Sequence, residues 1–280
     1  METGPRILFS TGALYLHPLR AAFELASAAG CDGVELDVSP VSLLHSARSI
    51  ARLAASTGMP VRAVHPPLFL LPGWKNERQA LPRLIDLALM VEAPTIVIHP
   101  PKVMRLESTR AGAFAARLTE ARRRLEGTGT QVTVENPGFF RPGDHLYAFW
   151  RLPALHRLAE QCGVAMTLDT THAGSSPFPL MESYTIVRDR LAHIHLSDLC
   201  RPPRWLDRPW LYSYFRHHQL PGTGSLPLQS LIRAAVRDGF GGDITLELSP
   251  TALEIWSPAH ARSHLADAVA TVRRWLAGKL

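Results

Sequence analysis

The sequence predicts an α/β fold, a single-domain (β/α)8 TIM barrel spanning residues 1–280. Three observations carry that expectation. Short apolar runs alternate with segments of helical period at roughly 30-residue spacing, the rhythm of parallel βα units. Eight such units fit a chain of 280 residues with no linker between them. No Gly-rich phosphate fingerprint follows the first apolar run, which removes the main argument for a doubly wound sheet.

The elements follow in order. The first strand is expected over Arg6–Ser10, with a helix over Pro18–Ala29 that Gly30 stops. The second strand is Asp32–Asp37 and its helix Ser42–Thr57, closed by Gly58. Val61–His65 and Thr95–His99 are the third and fourth strands, each ended by a Pro-Pro pair, with a helix over Glu77–Glu92 between them. Ser108–Glu126 reads as an amphipathic helix whose face of Arg110, Arg117, Arg122, Arg123 and Arg124 is solvated. Gln131–Glu135 is the fifth strand, Asn136-Pro137-Gly138 its exit turn and Pro153–Gln161 the next helix. Val164–Asp169 and Leu191–Ser197 are the sixth and seventh strands, separated by a short helix at Pro179–Asp189. Leu226–Arg237, the strand Asp243–Leu248 and the helix Pro258–Ala277 close the chain. One connection, Asp198–Ser225, shows no periodicity. It is rich in aromatic residues, as lids and binding loops often are.

Composition excludes several classes. The three cysteines are scattered and form no Cys-x-x-Cys, so neither a disulfide framework nor a thiolate zinc site is expected. That usage fits a reducing cytoplasm. The first six residues lack the basic start and apolar stretch of a signal peptide, and no apolar run approaches the ~18 residues of a membrane span. The net charge of +6 is mostly arginine and diffuse, so no nucleic-acid partner is expected. A small molecule is the expected partner, and an oligomer is left open.

Chemistry concentrates at the ends of the expected strands. In a barrel, catalytic side chains come from the C-terminal ends of several strands. Those ends here offer His65, His99, Glu135, Asp169, His195 and Glu247. His172 follows the sixth strand, and His217 and His218 lie in the long loop. All are ordinary ligands for zinc or manganese. Each alone has a structural reading, a hydrogen-bonded histidine or a turn-capping acid. Six consecutive strands ending in an acid or histidine are not explained that way. Glu35 and Asp37 also end a strand, and there structural, sugar or supporting contacts are all open. Two carboxylates and a histidine hold one divalent ion, and a third carboxylate completes the cage. His65 and His99 then suit a second ion bridged by Glu135, and His172 with His217 or His218 a third. One to three divalent ions are therefore expected.

The runs Val64-His65-Pro66-Pro67, Val97-Ile98-His99-Pro100, Val134-Glu135-Asn136, Leu168-Asp169-Thr170-Thr171-His172, His193-Ile194-His195-Leu196-Ser197-Asp198, His218 through Gly222-Thr223-Gly224, and Leu246-Glu247 resemble the xylose isomerase-like barrel superfamily. That superfamily includes endonuclease IV and many sugar-phosphate isomerases and epimerases. The resemblance spans essentially the whole chain. It implies that His65, His99 and Glu135 match one zinc site of the endonuclease, and that Glu135, Asp169, His195 and Glu247 match a second-metal cage shared with the epimerases. It implies a third-metal ligand at His172. The acid that pairs with the loop histidine in the endonuclease is missing, with Arg216 in its place if His218 is the ligand. The tyrosine used against DNA is missing too, so abasic-site cleavage is not expected.

Two activities follow. The first is a multi-metal hydrolase of a small phosphoester or amide, of the kind found in cobamide salvage. Glu247 or Asp198 would move the proton, and Trp205, Trp210, Tyr212, Arg216 and His217 would contact substrate. The alternative is a single-metal sugar or sugar-phosphate isomerase or epimerase in which Glu135 and Glu247 exchange a proton with substrate, while His65 and His99 bind hydroxyls. The His65/His99 pair favours the hydrolase at this stage.

Overall fold

The structure, a computed structural model, describes residues 4–68 and 71–278. The strands are β1 (Arg6–Ser10), β2 (Gly33–Asp37), β3 (Val61–His65), β4 (Thr95–Ile98), β5 (Gln131–Glu135), β6 (Ala165–Asp169), β7 (Leu191–Leu196) and β8 (Asp243–Leu246). Each pairs in parallel with the next, and β1 pairs with β8, so the sheet closes into a barrel. The helices are α1 (Leu19–Ala29), α2 (Ala47–Thr57), α3 (Glu77–Val91), α4 (Thr109–Arg124), α5 (Leu152–Cys162), α6 (Thr170–Gly174), α7 (Leu180–Val187), α8 (Tyr212–Phe215), α9 (Leu228–Arg237), α10 (Pro250–Leu253) and α11 (Pro258–Leu276). The expected (β/α)8 barrel is the fold observed. None of the described helices is long and apolar enough to cross a membrane. The expected lack of a signal segment falls partly on Met1–Thr3, outside the described residues.

The strands alternate because their two faces meet different neighbours. Val34, Leu36, Val64, Ile96, Ile98, Val134, Met166, Leu168, Ile194, Leu196, Ile244 and Leu246 join the helices in the hydrophobic core. The other face carries Glu35, Thr133, Thr167, His193 and Thr245, all buried. These are hydrogen-bonded across the barrel: Thr133 to Thr167 at 2.6 Å, and His193 to Glu35 at 2.8 Å and to Thr245 at 2.9 Å. Barrel interiors are usually filled by branched apolar side chains. Here the buried layer beneath the strand ends mixes Leu8, Ala63 and Val97 with these polar side chains, which support the charged groups above.

Several boundaries differ from expectation for local reasons. The helix expected over Ser42–Thr57 is a 3-10 turn at Ser42–Leu44, an extended His45, and then α2. Ser46 breaks it by accepting the Ser49 N–H as an N-cap. The helix α6 was not expected. It starts directly on Asp169, whose Oδ1 accepts from the His172 N–H at 2.7 Å and the Thr171 hydroxyl at 3.0 Å. The connection Asp198–Ser225 is not structureless, since it contains a 3-10 turn at Pro209–Leu211, helix α8 and an antiparallel bridge between Asp198 and Gln219. The arginine face of α4 is only partly solvated. Arg110 and Arg117 reach buried Glu77, and Arg124 reaches Asp86, so these arginines tie α4 to α3.

Candidate metal centre

Strand register brings the expected side chains together. Asp37 lies beside His65 and Asp169 beside His195 in the ladder, all with side chains on the barrel's inner face. His195 Nδ1 sits 2.9 Å from Glu247 Oε2, 3.6 Å from Glu135 Oε2 and 3.9 Å from Asp169 Oδ2. Asp169 Oδ2, His195 Nδ1 and Glu247 Oε2 are buried, and none has a partner in hydrogen-bond geometry. Buried polar atoms are rarely left so. These three orphaned ligand atoms, with Glu135 Oε2 as the fourth, form a donor set that fits a hard or borderline divalent ion.

A second group shares Glu135. His65 Nε2 and His99 Nε2 lie 3.3 Å apart, at 3.4 and 2.9 Å from Glu135 Oε2. A third group joins Asp169, His218 and Glu247; within it, within His65, His99 and Glu135, and within Glu135, Asp169 and His195, the ligand atoms lie within 4.8 Å of one another. The loop histidine that reaches the centre is therefore His218. His172 enters none of these groups. Its Nδ1 donates to the Asn136 carbonyl at 3.0 Å and lies 2.9 Å from Glu135 Oε1. His217 is 1% exposed, has no partner for either ring nitrogen, and packs its ring on Phe140 and Tyr212.

Strand β2 stands behind the centre. Glu35 Oε2 accepts from His195 Nε2 at 3.2 Å and from His193, which leaves His195 Nδ1 facing the carboxylates. Asp37 Oδ1 lies 3.0 Å from His65 Nδ1, so the Nε2 of His65 faces Glu135. Asp37 is itself held by the Ser10 hydroxyl at 2.6 Å and the Gly12 N–H at 3.0 Å. A Cβ on Gly12 would meet Asp37 Cγ at 3.0 Å, so the close approach favours glycine there. Asn136 locks β5 to β6, accepting from the Asp169 N–H at 2.7 Å and donating to its carbonyl at 3.1 Å. The β2 carboxylates were visible in the sequence as acids at a strand end, with their role left open, and their targets were not.

Charges in the centre are mutually dependent. Burial opposes ionisation of Glu135 and Glu247, yet the surrounding imidazoles outweigh it and hold both well below the usual carboxylate range. Burial, with Glu247 nearby, raises Asp169. Burial would lower His65 and His195, but the acids around them push both well above the ordinary histidine value. His172 rises to about 9 because Asp169 and Glu135 offset its burial. Metal binding to ligands of this kind is coupled to proton release.

The centre floors a cavity of about 600 Å³. Of the loop residues expected to contact substrate, Trp210 lines it. The others do not. Trp205 is 72% exposed and outside the lining. Arg216 stacks on Tyr212 and pairs with Asp207, so both turn away along the loop. His217 sits behind Phe140. Asp198 was expected to move a proton, but its carboxylate accepts the N–H groups of Leu199, Gly222, Gly224 and Leu226 and staples the loop. Tyr15, Leu68, Phe140 and Arg141 line the cavity from connections that carried no periodic or motif signal.

A closed parallel barrel with carboxylates and imidazoles converging at its strand ends is an architecture that many enzymes share, and its donor groups could hold a metal ion. The xylose isomerase-like TIM barrel family model matches residues 23–276, and the chain belongs to that family. An uncharacterized protein of Mycobacterium tuberculosis is 27% identical over 300 residues, covering 99% of each chain. Among solved structures, D-psicose 3-epimerase with D-tagatose from Clostridium cellulolyticum H10 has a TM-score of 0.70 at 14% identity, covering 97% of this chain and 99% of that one. The 3-keto-D-glucoside 4-epimerase from E. coli has a TM-score of 0.65 at 18% identity, covering 96% and 99%.

Proposed function

We propose that the chain is a divalent-metal-dependent isomerase or epimerase of a keto sugar, with Glu135 and Glu247 as its proton-exchanging pair. The observation that carries this is the placement of both carboxylates around His195 Nδ1, at 3.6 and 2.9 Å, with Glu247, His65 and His99 lining the cavity above. Glu135, Asp169, His195 and Glu247 would hold a zinc or manganese ion. When bound, the ion polarises the carbonyl and neighbouring hydroxyl of an α-hydroxy ketone. One glutamate takes the proton from the carbon beside the carbonyl, and the other returns a proton to it. Glu35 holds the His195 ring in place through Nε2. His65 and His99, both lining the cavity, would donate to substrate hydroxyls. The likeness to a D-psicose 3-epimerase and a 3-keto-D-glucoside 4-epimerase supports the same chemistry.

The expected hydrolase is not supported by those neighbours. One observation still favours it: the His65, His99 and Glu135 group beside the main cage, which would suit a second ion. Metal content and solvent exchange separate the two. The isomerase reading expects one ion per chain by elemental analysis and deuterium from solvent entering a ketose at carbon. Two or more ions per chain, with one lost in the H65A/H99A variant and no deuterium incorporation, would sink it.

A further inference from the structure

We propose that the sugar this centre acts on carries an apolar aryl or alkyl substituent, which the mouth of the cavity binds. This rests on the sugar reading above and names its substrate class more narrowly. The cavity is divided by chemistry. Its floor is polar, with His65, His99, His172, His218, Glu247 and Ser10. The connections above it contribute an apolar or aromatic wall, with Tyr15, Leu68, Phe140, Trp210 and Tyr214. A free sugar can stack one C–H face on a single aromatic ring, but several apolar and aromatic side chains offer more surface than one such face covers. A volume of about 600 Å³ lies mid-range for sites that bury drug-sized ligands, which are larger than one sugar ring.

The wall is built, not merely exposed. Phe140 is fixed by edge contacts with His172 and His217, at 5.4 and 4.9 Å between ring centroids. The Tyr214 hydroxyl pairs with that of Tyr15 at 3.3 Å, linking two connections that line the mouth. The Tyr214 carbonyl accepts from Gln219 and Ser249, which anchors the turn that presents the ring. Trp210 stands at the edge of this wall, 77% exposed, as a flat apolar surface. Rigid aromatics lose little entropy on binding, and stacking adds to apolar burial. Charge argues against a phosphate in the same place. Arg141 is the one Lys or Arg among the described lining residues. Phosphate sites instead gather several cationic or backbone N–H donors.

The test is equilibrium binding by calorimetry with methyl β-D-glucoside, phenyl β-D-glucoside and glucose 6-phosphate, on the protein as purified and after metal loading. Phenyl β-D-glucoside is expected to bind about tenfold tighter than the methyl compound, the size of one stacked and buried ring. The W210A and L68A variants should lose that preference while keeping the methyl affinity. Equal affinity for the two glucosides, no binding of either, a preference that survives both substitutions, or tightest binding of glucose 6-phosphate would overturn the proposal. Loss of a folded signal in one variant leaves the other to decide, and the wild-type comparison needs neither. Solvent proton exchange is measured separately. A phenyl preference without exchange into any ketose sinks the isomerase reading and leaves the apolar subsite standing.

Discussion

The strand ends and the long connection after β7 contain the same kinds of residue and behave differently. His65, His99, Glu135, Asp169, His195 and Glu247 all converge, because ladder register fixes both the height and the side of each side chain. In the connection, His218 reaches the centre and Trp210 reaches the cavity, while Trp205, Tyr212, Arg216 and His217 turn elsewhere. No repeating register constrains a loop, and its side chains go where local hydrogen bonds turn them. His218 itself sits at φ 55, a left-handed geometry uncommon for a histidine. That backbone twist separates it from its neighbour His217.

The largest effect tests the strand-end side. Glu135 touches both the main cage and the His65/His99 group through one oxygen, and His172 through the other. Glu135→Gln should lower turnover by about a thousandfold, the scale of a lost general acid or base, with the circular dichroism spectrum unchanged. Metal content should fall as well. Turnover within tenfold of the parent would mean that convergence at the strand ends does not carry the activity.

The next tests the loop side. Asp198 is fully buried and its four N–H partners belong to the loop itself. Gly224 approaches so closely that a Cβ would meet Asp198 Oδ1 at 2.5 Å. Asparagine would aim an NH2 at N–H donors, so Asp198→Asn is expected to cost about 3 kcal/mol. For a chain of this size that is a drop in Tm of roughly 5 °C. A Tm within a degree or two of the parent would show that the carboxylate does not hold the loop.

The fold was legible because alternation and spacing are written locally. β1, β3 and β5 coincide with their expected ranges. Errors fell where a side chain overrides the pattern, as Ser46 does in splitting the second helix and Asp169 in starting α6. The centre was legible for a similar reason, since a strand end is a position that sequence can locate. The partners of Glu35 and Asp37 were not, because they lie on other strands, far away in sequence. Nor was the role of Asp198, because nothing in the run of residues says that four N–H groups will fold back onto it.

Glu35 gives a smaller effect that sharpens the strand-end side. It contacts His195 and lies outside the main cage. Glu35→Gln keeps the shape and weakens the hold on the ring. Metal affinity should fall by about 10- to 100-fold, the cost of losing an outer partner of a ligating histidine. Excess metal should restore most of the turnover. If affinity is unchanged, register alone orients His195 and the β2 carboxylate is only packing.

The smallest effect separates the two adjacent loop histidines. Burial, reinforced by the nearby His218 and His172, pushes His217 down from 6.5 to about 2. The unfolded chain takes up this proton near 6.5 and the folded chain does not until about 2. Stability from a neutral His217 is therefore complete above pH 6.5 and is lost on acidification toward 2, by at most ~1.4 kcal/mol per pH unit. His65, His172 and His195 are shifted upward, so their contribution has the opposite sign: it is present in acid and lost as pH rises. A single stability curve mixes the two. The difference between the parent and His217→Phe isolates the loop residue, because phenylalanine keeps the contacts with Phe140 and Tyr212 and takes up no proton. The variant should match the parent near pH 7 and gain on it steadily below pH 6.5 in chemical denaturation. If the loop opens alone, the same difference should appear in amide exchange of Tyr212–Gln219 and not in global unfolding. Parallel curves by both measures would mean that His217 is hydrated, and that the loop does not sort its two histidines into one for the centre and one for packing.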